Sequence, residues 1–280
     1  RASQFAELKT TGGAVTVMLI LAGVPAWAAL LVAVLVGMLA GLCTGLLHTK
    51  LGIPAILAGI LTQFSLYSIN LRIMGMAANK AVSVDKFSLV LSSRSISGAI
   101  VTGAIIALAL TSLVIAFVLV CVFYWYFGTE QGSALRATGS NPNMSAAQGI
   151  NVNRMKVLGL ALSNGVVALS GGLMAQYQGF ADAQMGRGAI VIGLASIIIG
   201  EVLAEAIFKK GMNFSICLAS AVFGGVIYYV VMGIVLWLKL PTNDMKLFTA
   251  IIVAAFLAVP YLRGKSKHSF AALKHKKGEE

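Results

Sequence analysis

The chain has 280 residues, of which 59% are hydrophobic and 11% charged, and its formal net charge is +12. Soluble domains carry about 25% charged residues, so an ordinary water-soluble fold is excluded and an all-α, polytopic membrane protein is the class that remains. The lysines and arginines form no patch interleaved with stacking aromatics, which excludes nucleic acid as a partner; they sit in short connections and the tail, flanking stretches that call for a lipid bilayer.

Residues 13–24 form an apolar stretch shorter than the roughly twenty residues of an ordinary span, which predicts a re-entrant or broken helix ended by Pro25. The next span, 26–47, carries Gly37, Gly41 and Gly45 at four-residue spacing, a smooth stripe on which another backbone can pack closely. This places it at the centre of the bundle. After a turn holding His48 and Lys50, Pro54 starts a span reaching residue 74. On it Gln63, Tyr67 and Asn70 share one helical face, and because polar groups inside a bilayer are costly and by default functional, that face is assigned to a translocation path. Residues 75–98, with Asn79, Lys80, Asp85, Lys86 and Arg94, read as a loop, and 99–127 as a long span.

The polar stretch 128–154 reads as two short helices. Thr129 can cap the first and Gly139 can end it in the left-handed conformation. Asn141 caps the second, Pro142 takes its first position and Gly149 closes it. Doubled start and stop signals predict a compact, rigid element outside the membrane.

Further spans follow at 155–177, 189–208, 216–238 and 245–262, for about eight in all by the length rule. Ser163 and Asn164 lie within the first of these, with Gln176 near its far end, and the two polar neighbours join the candidate path. Glu201 and Glu205 share a helical face in the second; Glu205 can pair with Lys209 one turn later, whereas Glu201 lies deeper and needs a partner, a wet cavity or a raised pKa. Residues 263–280 form a basic tail. The positive-inside count puts 128–153 and this tail on the cytoplasmic side. Cys43, Cys121 and Cys217 each fall alone in an apolar run, without metal-ligand spacing, and are expected as small buried side chains.

No phosphate-binding Gly-x-x-x-x-Gly-Lys-Ser/Thr loop occurs, so any ATP-driven step belongs to another subunit, and no nucleophile is paired with a base. An enzyme is not expected.

The segment Ala134-Leu135-Arg136-Ala137-x-Gly139-x-Asn141, followed by Ala146-Ala147-x-Gly149-Ile150, resembles the loop by which permeases of ABC importers of the branched-chain amino acid and ribose type dock on their ATP-binding subunit. The likeness continues through Gly159-Leu160-Ala161-Leu162-Ser163-Asn164-Gly165, Gly171-Gly172 and Gly193-Leu194-Ala195-Ser196-Ile197-Ile198-Ile199-Gly200-Glu201, and covers residues 6–262. Within the family the chain is most similar to a branch of uncharacterised permeases, some linked to aromatic amino acid uptake. The family's early loop commonly reads acidic-Leu-Thr-x-acidic-Gly-Ser-Phe; here the stretch is Glu7-Leu8-Lys9-Thr10-Thr11-Gly12-Gly13, without the second acid or the Ser-Phe.

The resemblance implies a permease domain over 1–262 in the bacterial inner membrane, with a further helix before Arg1 in its relatives. It also implies a second copy as partner, an ATPase carrying ATP and magnesium, and an extracytoplasmic solute-binding protein. Ala134, Arg136, Gly139, Asn141, Pro142, Ala146 and Gly149 would form the coupling loop, and Asp85, Lys86, Arg94, Asp182 and Arg187 would meet the binding protein. The cargo implied is an amino acid or a related nutrient. The competing reading is a proton-coupled carrier that works alone through Glu201.

Overall fold

The computed structural model describes residues 2–82, 89–90, 101–186, 189–207, 214–237 and 254. The chain divides into two compact units, Arg1–Ile190 and Val191–Glu280.

The first unit opens with α1 (Ala2–Leu21), an unbroken helix of 20 residues. This corrects the expectation of a short or broken apolar segment at 13–24, and of an early loop at Glu7–Gly13. The stretch 10–13 that reads as polar on a hydropathy scale is fully buried. Thr10 and Thr11 donate their hydroxyls to the carbonyls of Ala6 and Glu7 in the preceding turn, at 3.2 and 2.8 Å. Such bonds satisfy the polar group within the helix itself, which lowers the cost of burial. At 1.5 Å per residue α1 is about 30 Å long, the thickness of a bilayer core. It ends at Gly23 (φ 88°), where Val24 N–H donates to Leu19 O across six residues, closing the helix in the left-handed manner that glycine allows.

Helices α2 (Ala26–Thr49), α3 (Ala55–Ile73) and α7 (Val152–Gln178) surround α1. Pro25 and Pro54 stand at the N-caps of α2 and α3. The glycines allow the close approach: a Cβ on Gly37 would lie 2.7 Å from Asn164 O, one on Gly41 2.5 Å from Leu160 O, and one on Gly45 3.0 Å from Val157 Cα. On the other side of α7, Gly171 abuts the backbone of Lys9, and Gly12 of α1 abuts Ala168.

At the end of the bundle away from 128–154, β1 (Asn79–Ala81) pairs antiparallel with β2 (Phe180–Asp182), with Asn79 opposite Asp182. Beneath this small sheet an apolar cluster of Ala14, Val17, Ile20, Ala29, Met74 and Ala181 fills the space between the helix ends. Gln176 braces it, donating Nε2–H to Ala26 O at 3.3 Å and accepting from Val90 N–H at 2.9 Å.

Helix α4 (Val101–Gly128) is apolar throughout, and none of the window that qualifies it as a span is buried within the structure. Its end meets α5 (Glu130–Ser140), which α6 (Pro142–Ala147) follows. In the second unit α8 (Ala189–Ile207) packs on α9 (Phe214–Trp237) through Gly200 and Gly224, around Ala195, Ile199 and Tyr228.

Among the described residues five helices are long and apolar enough to cross a membrane: α2, α3, α4, α7 and α9; the apolar core of α8, Ile192–Ala204, is shorter. Apart from residue 254, the expected span at 245–262 lies outside the described residues, as do the basic tail and Asp85, Lys86, Arg94, Arg187 and Lys209. The cysteines correct another expectation. Cys43 and Cys121 are exposed and Cys217 is half-buried among the described residues.

Candidate functional site

The stretch between α4 and α7 folds as a capped helical pair. Thr129 accepts from Gly132 N–H at 3.3 Å and opens α5. Gly132 lies against the backbone of Tyr126 and Phe127 where a side chain would collide, so α5 turns tightly off α4. Gly139 does not end α5, as had been expected; the helix runs on to Ser140, and Gly139 is an interior residue without positive φ. Asn141 does both jobs. Its extended backbone (φ −148°, ψ 97°) terminates α5, while its Oδ1 accepts from Met144 N–H at 3.1 Å to open α6, with Pro142 at the first position. Gly149 follows α6 at φ 80°, a region other residues rarely adopt. Asn151 then caps α7 through Arg154 N–H at 3.1 Å.

This pair rests on α7 through few contacts. Leu135 points at Gly159, where an added Cβ would come within 3.1 Å of Leu135 Cδ1. Thr138 and Ser145 are buried, with their hydroxyls returned to Ala134 O (2.8 Å) and Asn141 O (3.0 Å). Arg136, Ala146 and Met144 face outward.

Between the pair and the bundle lies a cavity of about 680 Å³. Leu135, Thr138, Gly139 and Pro142 form one wall, and Gln4, Thr44, His48, Lys156, Ser163 and Asn164 contribute the polar groups of the others. Three helices are joined there by side chains. Gln4 Nε2–H donates to Thr44 Oγ1 at 2.6 Å, and Thr44 Oγ1 lies 3.0 Å from Thr62 Oγ1 and 2.9 Å from Ala40 O. The single Thr44 proton serves one acceptor at a time. Thr62 returns its own proton to Ala58 O at 2.8 Å. His48 Nδ1 lies 2.9 Å from Ile53 O, and since a carbonyl only accepts, Nδ1 carries a proton.

Asn164 is 7% exposed, and its Nδ2 is buried without a hydrogen-bond partner among the described residues. A buried amide left unpaired costs about 1–3 kcal/mol, and this one packs toward α2, where a Cβ added at Gly41 would lie 2.9 Å from Nδ2. Ser163 lies beside it, exposed, with its hydroxyl on Leu160 O at 3.1 Å. Lys156 is a cation on the lining, and no carboxylate shares that lining.

The structure therefore gathers Ser163, Asn164, Gly139 and Pro142 around one space, and it does not bring Gln63, Tyr67 and Asn70 to it. The buried face of α3 is Ala58, Gly59, Thr62, Leu66 and Asn70, which shares Asn70 with the expected face and leaves Gln63 half-buried. Tyr67 is 42% exposed, and Asn70 donates to Glu7 O at 3.2 Å, locking α3 to α1. Glu201 stands exposed on α8 in the second unit. Gln4, Thr44, Thr62, His48 and Lys156 were missed by the sequence reading. Thr44 and Thr62 had the signal of a lone hydroxyl inside an apolar run.

The branched-chain amino acid transport system permease component family matches residues 6–260. The chain belongs to that family. This permease is a multi-pass membrane component of a transport system and not an enzyme. It is 39% identical over 267 residues to the tyrosine transport system permease protein of Clostridioides difficile (strain R20291), covering 94% of this chain and 83% of that one. It is also 33% identical over 204 residues to the uncharacterized protein RP368 of Rickettsia prowazekii (strain Madrid E), covering 72% of this chain and 67% of that one. No solved structure matches the permease.

Proposed function

We propose that this permease is the membrane subunit of an ATP-driven amino acid importer in the bacterial cytoplasmic membrane, with α5 and α6 facing the cytoplasm. Two copies form the pathway, an ATPase subunit holding ATP and magnesium docks beneath each copy on α5 and α6, and an extracytoplasmic binding protein delivers the solute. The observation that carries this reading is the shared wall: the outward-facing helical pair also lines the cavity that Asn164, Gln4 and Lys156 share. A partner that moves the pair alters the cavity directly. A lining with a cation and no carboxylate suits the carboxylate of an amino acid, and tyrosine, the solute named for the clostridial relative, is the first to test. The carrier reading through Glu201 has less support, since a proton-loading carboxylate should be sequestered and Glu201 is exposed on α8.

The test is to express the whole transport system with this subunit tagged, and to measure ATPase co-purification and tyrosine uptake with Arg136→Glu and Gly149→Pro alongside. Proline cannot adopt φ 80°, so Gly149→Pro should break the turn after α6 and uncouple hydrolysis from uptake. Uptake by the permease alone under a proton gradient would sink the proposal.

A further inference from the structure

A second hollow, of about 600 Å³, lies on the opposite side of the α2–α7 pair from the cavity just described. Its chemistry is segregated along the bundle axis. At the cytoplasmic end are Lys50, Arg154, Asn151, Asn153 and Gln131; further in, the lining is Met38, Leu42, Leu46, Leu158 and Leu162. From Lys50 to Met38 is twelve residues of α2, about 18 Å at 1.5 Å per residue. One leaflet of the hydrocarbon core is about 15 Å deep.

Both charges are cationic, no Asp or Glu lines the hollow, and neither Lys50 nor Arg154 is ion-paired among the described residues. Tyr126 closes one side of the hollow. Two cations and side-chain amides at the headgroup level, above an aliphatic trough one leaflet deep, match one ligand chemistry. We propose that this groove holds an anionic phospholipid of the cytoplasmic leaflet. Lys50 and Arg154 take its phosphate, and an acyl chain lies between α2 and α7. The inference rests on the membrane placement of the permease and is independent of its cargo.

It is tested on the full transporter in nanodiscs of equal phosphatidylglycerol and phosphatidylcholine, by counting the lipids retained after extraction with native mass spectrometry. Retained phosphatidylglycerol should exceed phosphatidylcholine by on the order of tenfold, given two cations near an anionic headgroup. Lys50→Ala with Arg154→Ala should abolish the preference, Lys50→Arg with Arg154→Lys should restore it, and Lys156→Ala, which removes a cation from the other cavity, should leave it intact. Equal loss with Lys156→Ala would mean general surface attraction and would overturn the proposal. So would a photo-crosslinker at Leu158 that captures a second copy or the ATPase instead of lipid.

Discussion

Removing one side-chain oxygen at Asn141 should loosen the whole of α6. That helix has six residues, and isolated helices shorter than about 12 residues are marginal in water, so α6 depends on its ends more than on its length. Asn141 supplies its opening three times over. Its Oδ1 accepts from Met144 N–H at 3.1 Å, and its carbonyl accepts from Ser145 N–H at 3.1 Å and Ser145 Oγ–H at 3.0 Å. Asn141→Ala deletes the first, and losing such a cap costs about 1 kcal/mol, a factor of about five in the balance between formed and frayed helix. Hydrogen exchange at the Ser145 and Gln148 amides, measured in nanodiscs, should accelerate by about that factor. Asn151→Ala deletes a bond of the same length, to Arg154 N–H, from the 27-residue α7. Packing on α1 and α2 holds α7 beyond its first turn, so that variant should keep its exchange pattern and its uptake. If Asn141→Ala leaves exchange at 145 and 148 unchanged, the cap argument fails. If exchange rises while uptake stays coupled to hydrolysis, a rigid α6 is not what transmits the motion.

Two further predictions separate packing from function. Gly41→Ala places a methyl 2.5 Å from Leu160 O and 2.7 Å from Ala161 Cα, so α2 and α7 must part, at about 1–3 kcal/mol for overpacking; Gly139→Ala meets open space within 4 Å and should be neutral or slightly stabilising. Thermal unfolding in detergent should rank them in that order, and equal midpoints would refute the seam. Asn164→Leu removes the unpaired amide at similar volume, so the protein should keep or gain thermal stability, while Lys156→Gln removes the cation of the cavity lining and should lower uptake at least about tenfold, the cost expected when a site loses one hydrogen bond to a charged group. Unchanged uptake would remove the cavity from the pathway.

The helices were legible wherever local chemistry decides them. Thr129, Asn141 and Pro142 act through neighbours two to four residues away, so their roles in α5 and α6 could be read from spacing. The glycines of α2 were legible because four-residue spacing defines a stripe whatever packs on it. The errors came where a tertiary partner decides. Hydropathy scores Thr10 and Thr11 as polar, yet each bonds to its own helix and is buried, so α1 was cut in half on paper. Gln63 and Thr62 are neighbouring polar residues of α3, and only the presence of Thr44 opposite shows that Thr62 is the one bonded to α2. Lys156 and Gln4 meet across the cavity from distant parts of the chain, a juxtaposition that no spacing rule contains.

The distribution of packing along α7 says where a push would be felt. At its C-terminal end α7 is fastened by Gln176 to α2 and to Val90, and by Ala175 within the apolar cluster under the β1–β2 pair. In its middle, Gly165, Ala168, Gly171 and Gly172 leave almost no room against α1 and α2. Toward its N-terminal end one side of α7 borders the cavity, and Leu135 meets Gly159 at a point where the lining includes Ser163 and Asn164 one turn on. Close-packed interiors transmit strain with little give. A force applied through α5 therefore enters α7 at Gly159, on the side that borders the cavity, while its C-terminal end is held by Gln176, so the cavity changes shape before the sheet end moves. On the proposed reading, that order lets the ATPase rearrange the solute's surroundings while the extracytoplasmic end stays shut.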